Sequence, residues 1–251
     1  MVKAPILTHP ILERWGALRK RLDEAARRAG RAPESVDVVA VVKYAALEDV
    51  QALVGSGLAR WYGESRVQDA GRRREALGGA ERAAWRFIGH LQTNKAKAAL
   101  ELFDHFDAVD SAALAEALER RLEGTDRRVG VMVQVKLTGR ETQSGVAPED
   151  AAGLVARLRA LPHLRPEGLM GIAPQGSGPE DARPGFRRLK GLFDELFGED
   201  EGARLSMGMS GDCEVAVEEG ATLVRVGSDL FGPGLRSRDG RLDQSEKGGS
   251  E

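Results

Sequence analysis

The sequence predicts an α/β fold, a single closed (β/α)8 TIM barrel with one extra helix at its amino terminus. Three observations lead there. Eight short runs rich in branched and aromatic residues recur along the 251-residue chain, most of them continuous rather than alternating, as in strands buried on both faces. Between them lie segments with apolar residues at three- and four-residue steps, the spacing of helices that cover a sheet. The buried-strand character persists to both ends with no weak edge, which favours closure over an open six-stranded sheet, and barrels of this length are ordinary.

The opening helix is carried by Ile11, Leu12, Trp15, Leu18, Leu22, Ala25 and Ala29, one apolar stripe that ends at Gly30. VDVVAVVK (36–43) is the first strand, and helical spacing follows from Leu47 to Val54 before Gly55 and Gly57. A strand at 60–63, a helix at 67–77, a strand at 85–89, a helix at 92–102, a strand at 106–109 and a helix at 112–122 continue the alternation. VGVMVQVKL (129–137) is the clearest strand. Pro148 opens a helix over 151–161, and a strand at 166–172, a helix at 186–197, a strand at 205–207, a helix at 214–219 and the strand LVRV (223–226) complete the set. The amino-terminal helix is expected to cover the barrel face that a last helix would otherwise cover. Residues 1–232 are expected to form the barrel, and the polar residues 233–251 a disordered tail.

Composition narrows the function. A formal charge of −2 with charges of both signs spread along the chain provides no basic field for nucleic acid or an anionic membrane, so a small-molecule ligand is the default. No apolar run approaches bilayer length and MVKAPILTHP lacks a signal core, which predicts a cytoplasmic protein. Cys213 is the single cysteine, excluding an internal disulfide, and the four histidines show no metal-ligand spacing.

In such barrels the working groups stand at the carboxyl ends of strands. Lys43 closes the first strand, where an apolar stem would lower its ammonium pKa, as an imine-forming amine requires; a lysine snorkelling from a strand end reads equally well. Ser206-Met207-Gly208-Met209-Ser210-Gly211-Asp212 follows the seventh strand, its small residues and hydroxyls suited to an anion, although Ser210 or Asp212 is also a helix cap. Arg225-Val226-Gly227-Ser228 ends the eighth strand, and the seventh and eighth loops are where barrel phosphate sites are built. Arg225 lies in an apolar strand and needs a partner, either a ligand's ring nitrogen or a structural carboxylate. Weaker signals come from Gly63-Glu64-Ser65, from Phe87–Lys95 with His90, and from Thr142-Gln143-Ser144-Gly145. A lone loop histidine is more often structural, and Arg72-Arg73-Arg74 reads as a solvated helix face.

The motifs VVK at Lys43, YGESRVQD (62–69), FIGHLQTNK (87–95), SGV (144–146), GLMGI (168–172), SMGMS (206–210) and VRVGSDLFG (224–232) occur together in this order. With them the chain resembles the pyridoxal phosphate homeostasis proteins over roughly 36–232. The resemblance implies a barrel like the amino-terminal domain of alanine racemase, with pyridoxal 5′-phosphate (PLP) as a Schiff base on Lys43. It also implies Ser65 and Met207 beside the cofactor, Ser210 with the backbone of Gly227 and Ser228 on the phosphate, and Arg225 at the pyridine nitrogen. The chain departs from the usual pattern at Ser65 (asparagine), Gly211 (an acidic residue) and Ser228-Asp229 (often Thr-Ala).

A PLP ring is the strongest electron sink when a carboxylate keeps its nitrogen protonated, and a guanidinium can only donate. Alanine racemase has the same arginine and draws on a tyrosine from a second domain, for which only about twenty residues remain here after the last strand. The expectation is therefore a carrier in PLP homeostasis with little or no catalysis, partnered by PLP and by apo forms of PLP-dependent enzymes, and monomeric. A racemase-like enzyme is the alternative, with Tyr44, Tyr62 or His90 as base; a phosphate-binding barrel isomerase without PLP is a third.

Overall fold

The computed structural model describes residues 9–78, 83–138, 143–174 and 178–232. Helix α1 (Pro10–Arg28) precedes eight parallel strands: β1 (Asp37–Val41), β2 (Trp61–Glu64), β3 (Ala84–Phe87), β4 (His105–Val109), β5 (Val129–Lys136), β6 (Leu164–Ile172), β7 (Arg204–Ser206) and β8 (Leu223–Val226). They close in sequence order, β8 pairing with β1 through Asp37 opposite Leu223 and Val39 opposite Arg225. The connecting helices are α2 (Leu47–Ser56), α3 (Val67–Ala76), α4 (Ala96–Leu100), α5 (Ala112–Leu122), α6 (Ala151–Arg159), α7 (Arg183–Phe197) and α8 (Cys213–Glu218); α9 (Ser228–Phe231) follows β8. The predicted eight-stranded barrel is therefore the observed fold.

Strand parity divides the core in two. Val39, Trp61, Ala108, Met132, Met170 and Leu223 fill the barrel interior, while Val38, Ala40, Val42 and their counterparts face the helical layer. Helix α1 turns Ile11, Trp15, Leu18, Leu22, Ala25 and Ala26 inward and packs on α8, α9 and α2, covering the seam between β8 and β1 as expected. Each large apolar side chain so buried contributes about 1.5–3 kcal/mol.

Where elements differ from expectation, packing is the cause. The helix predicted over 92–102 is a single 3-10 turn at Thr93–Lys95 followed by a short α4, because the chain turns after Leu100 to bury Phe103 against Phe87 and Phe106. β6 begins earlier than predicted, at Leu164, and its register with β5 slips opposite Pro166–Gly168. Gly168 has φ +139°, and a Cβ there would collide with the carbonyl of Arg204 on β7. β1 ends at Val41, two residues short of Lys43, and α9 was not foreseen. The expected tail, 233–251, lies outside the described residues.

Candidate functional site

β7, β8, β1 and β2 are consecutive in the closed sheet, and their carboxyl ends carry Ser210, Arg225, Gly227, Ser228, Lys43 and Ser65. The Val42 amide donates to the Gly63 carbonyl at 3.0 Å, and the Ala45 amide then folds back onto the Val42 carbonyl at 3.0 Å. This turn leaves Lys43 exposed, with Nζ 5.3 Å from the ring centroid of Tyr44. The expected apolar sheath around its stem is corrected: Lys43 stands beyond the last rung of the strand, where the barrel opens.

Arg225 sits inside the barrel, 5% exposed. Its Nη1 donates to Ser206 Oγ at 2.8 Å and its Nη2 to the Gly171 carbonyl at 3.0 Å. Burial pushes the guanidinium pKa down, resisted by the more distant carboxylates of Asp107 and Asp212. Among the described residues no carboxylate is bonded to Arg225, so the structural-carboxylate alternative has no support there.

The seventh loop is shaped by its backbone. Gly208 has φ +89° and lies so close to α8 that a Cβ would strike Ala216. Its carbonyl accepts from the Arg225 amide at 3.0 Å, and Asp212 Oδ1 accepts from the Met209 amide at 2.6 Å. Burial raises the Asp212 pKa, with the Met209 N–H opposing. Ser210 Oγ accepts from the Asp229 amide at 3.4 Å and thus joins the seventh and eighth loops. Gly227 packs on β1, where a Cβ would meet the Val41 carbonyl at 3.4 Å; exposed Ser228 opens α9, whose first amides have no intrahelical acceptor.

Met207 does not join this group. Its side chain is fully buried in the layer between sheet and helices, because alternation along β7 sends Ser206 inward and Met207 outward. Ser65 is half-buried at the end of β2, its amide donating to Glu64 Oε1 at 2.7 Å; its carbonyl stands 2.5 Å from where a Cβ on Gly89 would lie.

Several weaker signals resolve as structure. His90 Nδ1 lies 3.2 Å from Asp110 Oδ2, the structural reading. Gln134 Nε2 donates to the Ser144 carbonyl and Gln143 Nε2 to that of Ile172, pinning the loop after β5, while Thr142 falls outside the described residues. Tyr62 is buried behind β2, where burial drives its phenol pKa far upward, so it does not face the barrel mouth. Arg73 donates to the Ala45 carbonyl and Arg74 to that of Leu102, so the expected solvated face holds only for Arg72.

The opposite end of the barrel contains a cavity of about 510 Å³ lined by Trp61, Arg86, His105, Glu167 and Arg204 among others. Its charges pair with one another: buried Arg86 with Asp107 and Glu167, His105 with Glu167, and the partly exposed Arg204 with Asp37, while Arg86 Nη1 has no hydrogen-bond partner among the described residues. Polar groups at this end of a TIM barrel serve stability.

A family model described as alanine racemase, N-terminal domain, matches residues 14–234. A pyridoxal phosphate homeostasis protein of Aquifex aeolicus is 39% identical over 222 residues, 88% of this chain and 96% of that one. The chain belongs to the pyridoxal phosphate homeostasis protein family. PipY of Synechococcus elongatus, solved with PLP bound, superposes with a TM-score of 0.76 at 36% identity, covering 88% of this chain and all of that one. Alanine racemase of Clostridium difficile, at 14% identity and a TM-score of 0.69 over 55% of its length, shares the fold. Four contacts of this pyridoxal phosphate homeostasis family member are not signalled by its sequence. Ser206 and the Gly171 carbonyl hold Arg225, and Arg21 reaches Glu214 and Asp229 from α1. Ser206 was visible as a hydroxyl on the inward phase of β7; Arg21 acts across 193 residues and left no local signal.

Among the described residues no helix is long and apolar enough to cross a membrane.

Proposed function

We propose that this chain holds PLP reversibly at the carboxyl end of its barrel, in the cytoplasm, and passes it to apo forms of PLP-dependent enzymes with little or no turnover of its own. Arg225 carries the reading. It is a buried, donor-only cation bonded to a hydroxyl and a carbonyl, a donor set suited to an unprotonated ring nitrogen and unsuited to sustaining a protonated one.

The remaining groups fit the same ligand. Lys43 presents a primary amine at the barrel mouth. Ser210 and the backbone of Gly227 and Ser228 would hold the phosphate, on the two loops that build phosphate sites in this fold. Ser65 would flank the ring. Met207 supports the loop from behind rather than touching ligand. When bound, PLP supplies an aldehyde carbon that a lysine amine can hold covalently and reversibly. The Aquifex relative's name and the PLP bound by PipY support the assignment.

The test is a visible absorbance band in the purified protein that is lost in Lys43→Ala, with a borohydride-fixed adduct on Lys43 by mass spectrometry. Absence of the band, or its survival in Lys43→Ala, overturns the site. Transfer to an apo-enzyme no faster than from free PLP overturns the carrier role. Racemisation of an amino acid at an ordinary enzyme rate overturns the low-turnover part.

A further inference from the structure

Arg21 belongs to α1, outside the barrel, yet it grips both elements that continue the seventh and eighth loops. Its Nε lies 2.6 Å from Glu214 Oε1, its Nη1 2.6 Å from Asp229 Oδ2, and its Nη2 3.9 Å from Cys213 Sγ. Glu214 stands in the first turn of α8, two residues after Asp212, and Asp229 in the first turn of α9, immediately after Ser228. Asp229 is also the residue whose amide donates to Ser210 Oγ. A carboxylate is thereby placed one residue from the backbone assigned above to a phosphate that carries about −1.5 to −2 charge. Left without a countercharge, it would repel that ligand.

We propose that Arg21 is a positioning residue for the phosphate end of the site, clamping the starts of α8 and α9 together and cancelling the carboxylates of Glu214 and Asp229. The proposal rests on the placement of PLP given above. Its competitor is a plain structural clip, with α1 docked by its apolar stripe and Arg21 adding only stability. The Glu214 Oε1 hydrogen bond is the main force holding the Arg21 pKa up, and Arg21 in turn holds Glu214 down against its burial, so both stay charged across neutral pH.

The two roles separate when PLP is compared with pyridoxal, which lacks the phosphate. Dissociation constants for both would be measured, with a thermal melt as the folding check, in the wild type, Arg21→Gln, Asp229→Ala and the double variant. Arg21→Gln is expected to weaken PLP about tenfold, with pyridoxal changed less than about twofold and the gap narrowing as salt is raised. The double variant should recover the part of the loss that comes from the uncancelled Asp229 carboxylate, while the lost clamp and the unpaired Glu214 remain. Asp229→Ala keeps the backbone amide and Arg21, so it should raise the preference for PLP over pyridoxal, and it carries the test alone if Arg21→Gln does not fold. Equal losses for both ligands, an unchanged PLP affinity in Arg21→Gln, or an unchanged preference in Asp229→Ala overturns the proposal. A wild type without any preference for PLP would instead overturn the phosphate placement, so the two failures are distinguishable.

Discussion

Arg73 Nη1 donates to the carbonyl of Ala45 at 3.1 Å, tying helix α3 to the turn that carries Lys43. Glu64 stands behind the same turn, buried, with Oε1 on the Ser65 amide. Burial raises the Glu64 pKa, with the Ser65 N–H and the Arg73 charge opposing.

Arg73→Gln removes this tie and the charge opposite Glu64. A loss of about 1–3 kcal/mol is expected, read as a fall in thermal midpoint of roughly 2–4 °C per kcal/mol. Amide hydrogen exchange over residues 43–47 should quicken more than elsewhere, and a uniform change across the barrel would contradict the tie.

Ser206→Ala strips one acceptor from Arg225 and leaves a buried N–H unmet. Urea unfolding should show a loss of about 1–3 kcal/mol. PLP binding should weaken as well, since the guanidinium is then held by the Gly171 carbonyl alone among the contacts described.

Glu167 predicts the acid limb of the stability curve. Burial would raise its pKa, but the His105 hydrogen bond, the charges of His105 and Arg86 and the Arg165 hydrogen bond hold it down, to about 2. A carboxylate depressed in the fold contributes stability that is complete above its unfolded value near 4.5 and is lost as pH falls towards 2. Glu167→Gln should therefore cost on the order of 2–3 kcal/mol at pH 6 and little at pH 2. A penalty of equal size at both pH values, from denaturant titrations, would refute the linkage.

Gly208→Ala meets both a left-handed backbone and Ala216, and about 2–4 kcal/mol of destabilisation is expected, together with weaker PLP binding. Gly211→Ala, three residues on, meets nothing within 4 Å and should stay within about 0.5 kcal/mol. The contrast separates the shape of the loop from its glycine content.

Much of this is legible in the sequence. Val36 to Val226 carry eight buried-strand runs in β/α alternation, and periodicity is a local property that hydrophobic burial enforces. Strand order followed, because a closed parallel barrel with right-handed crossovers admits one neighbour sequence. Lys43, Ser210 and Arg225 could be singled out by standing at strand ends or in an apolar strand. Met207 was misplaced because a one-residue step along β7 reverses the face, and the strand end is known from sequence only to within a few residues. Tertiary structure alone decided that Lys43 stands exposed at the mouth beside the Tyr44 ring, that Arg225 rests on a hydroxyl and a carbonyl, and that Arg21 of α1 closes over α8 and α9. Those are contacts between side chains distant along the chain, set by packing geometry, and no local pattern encodes them.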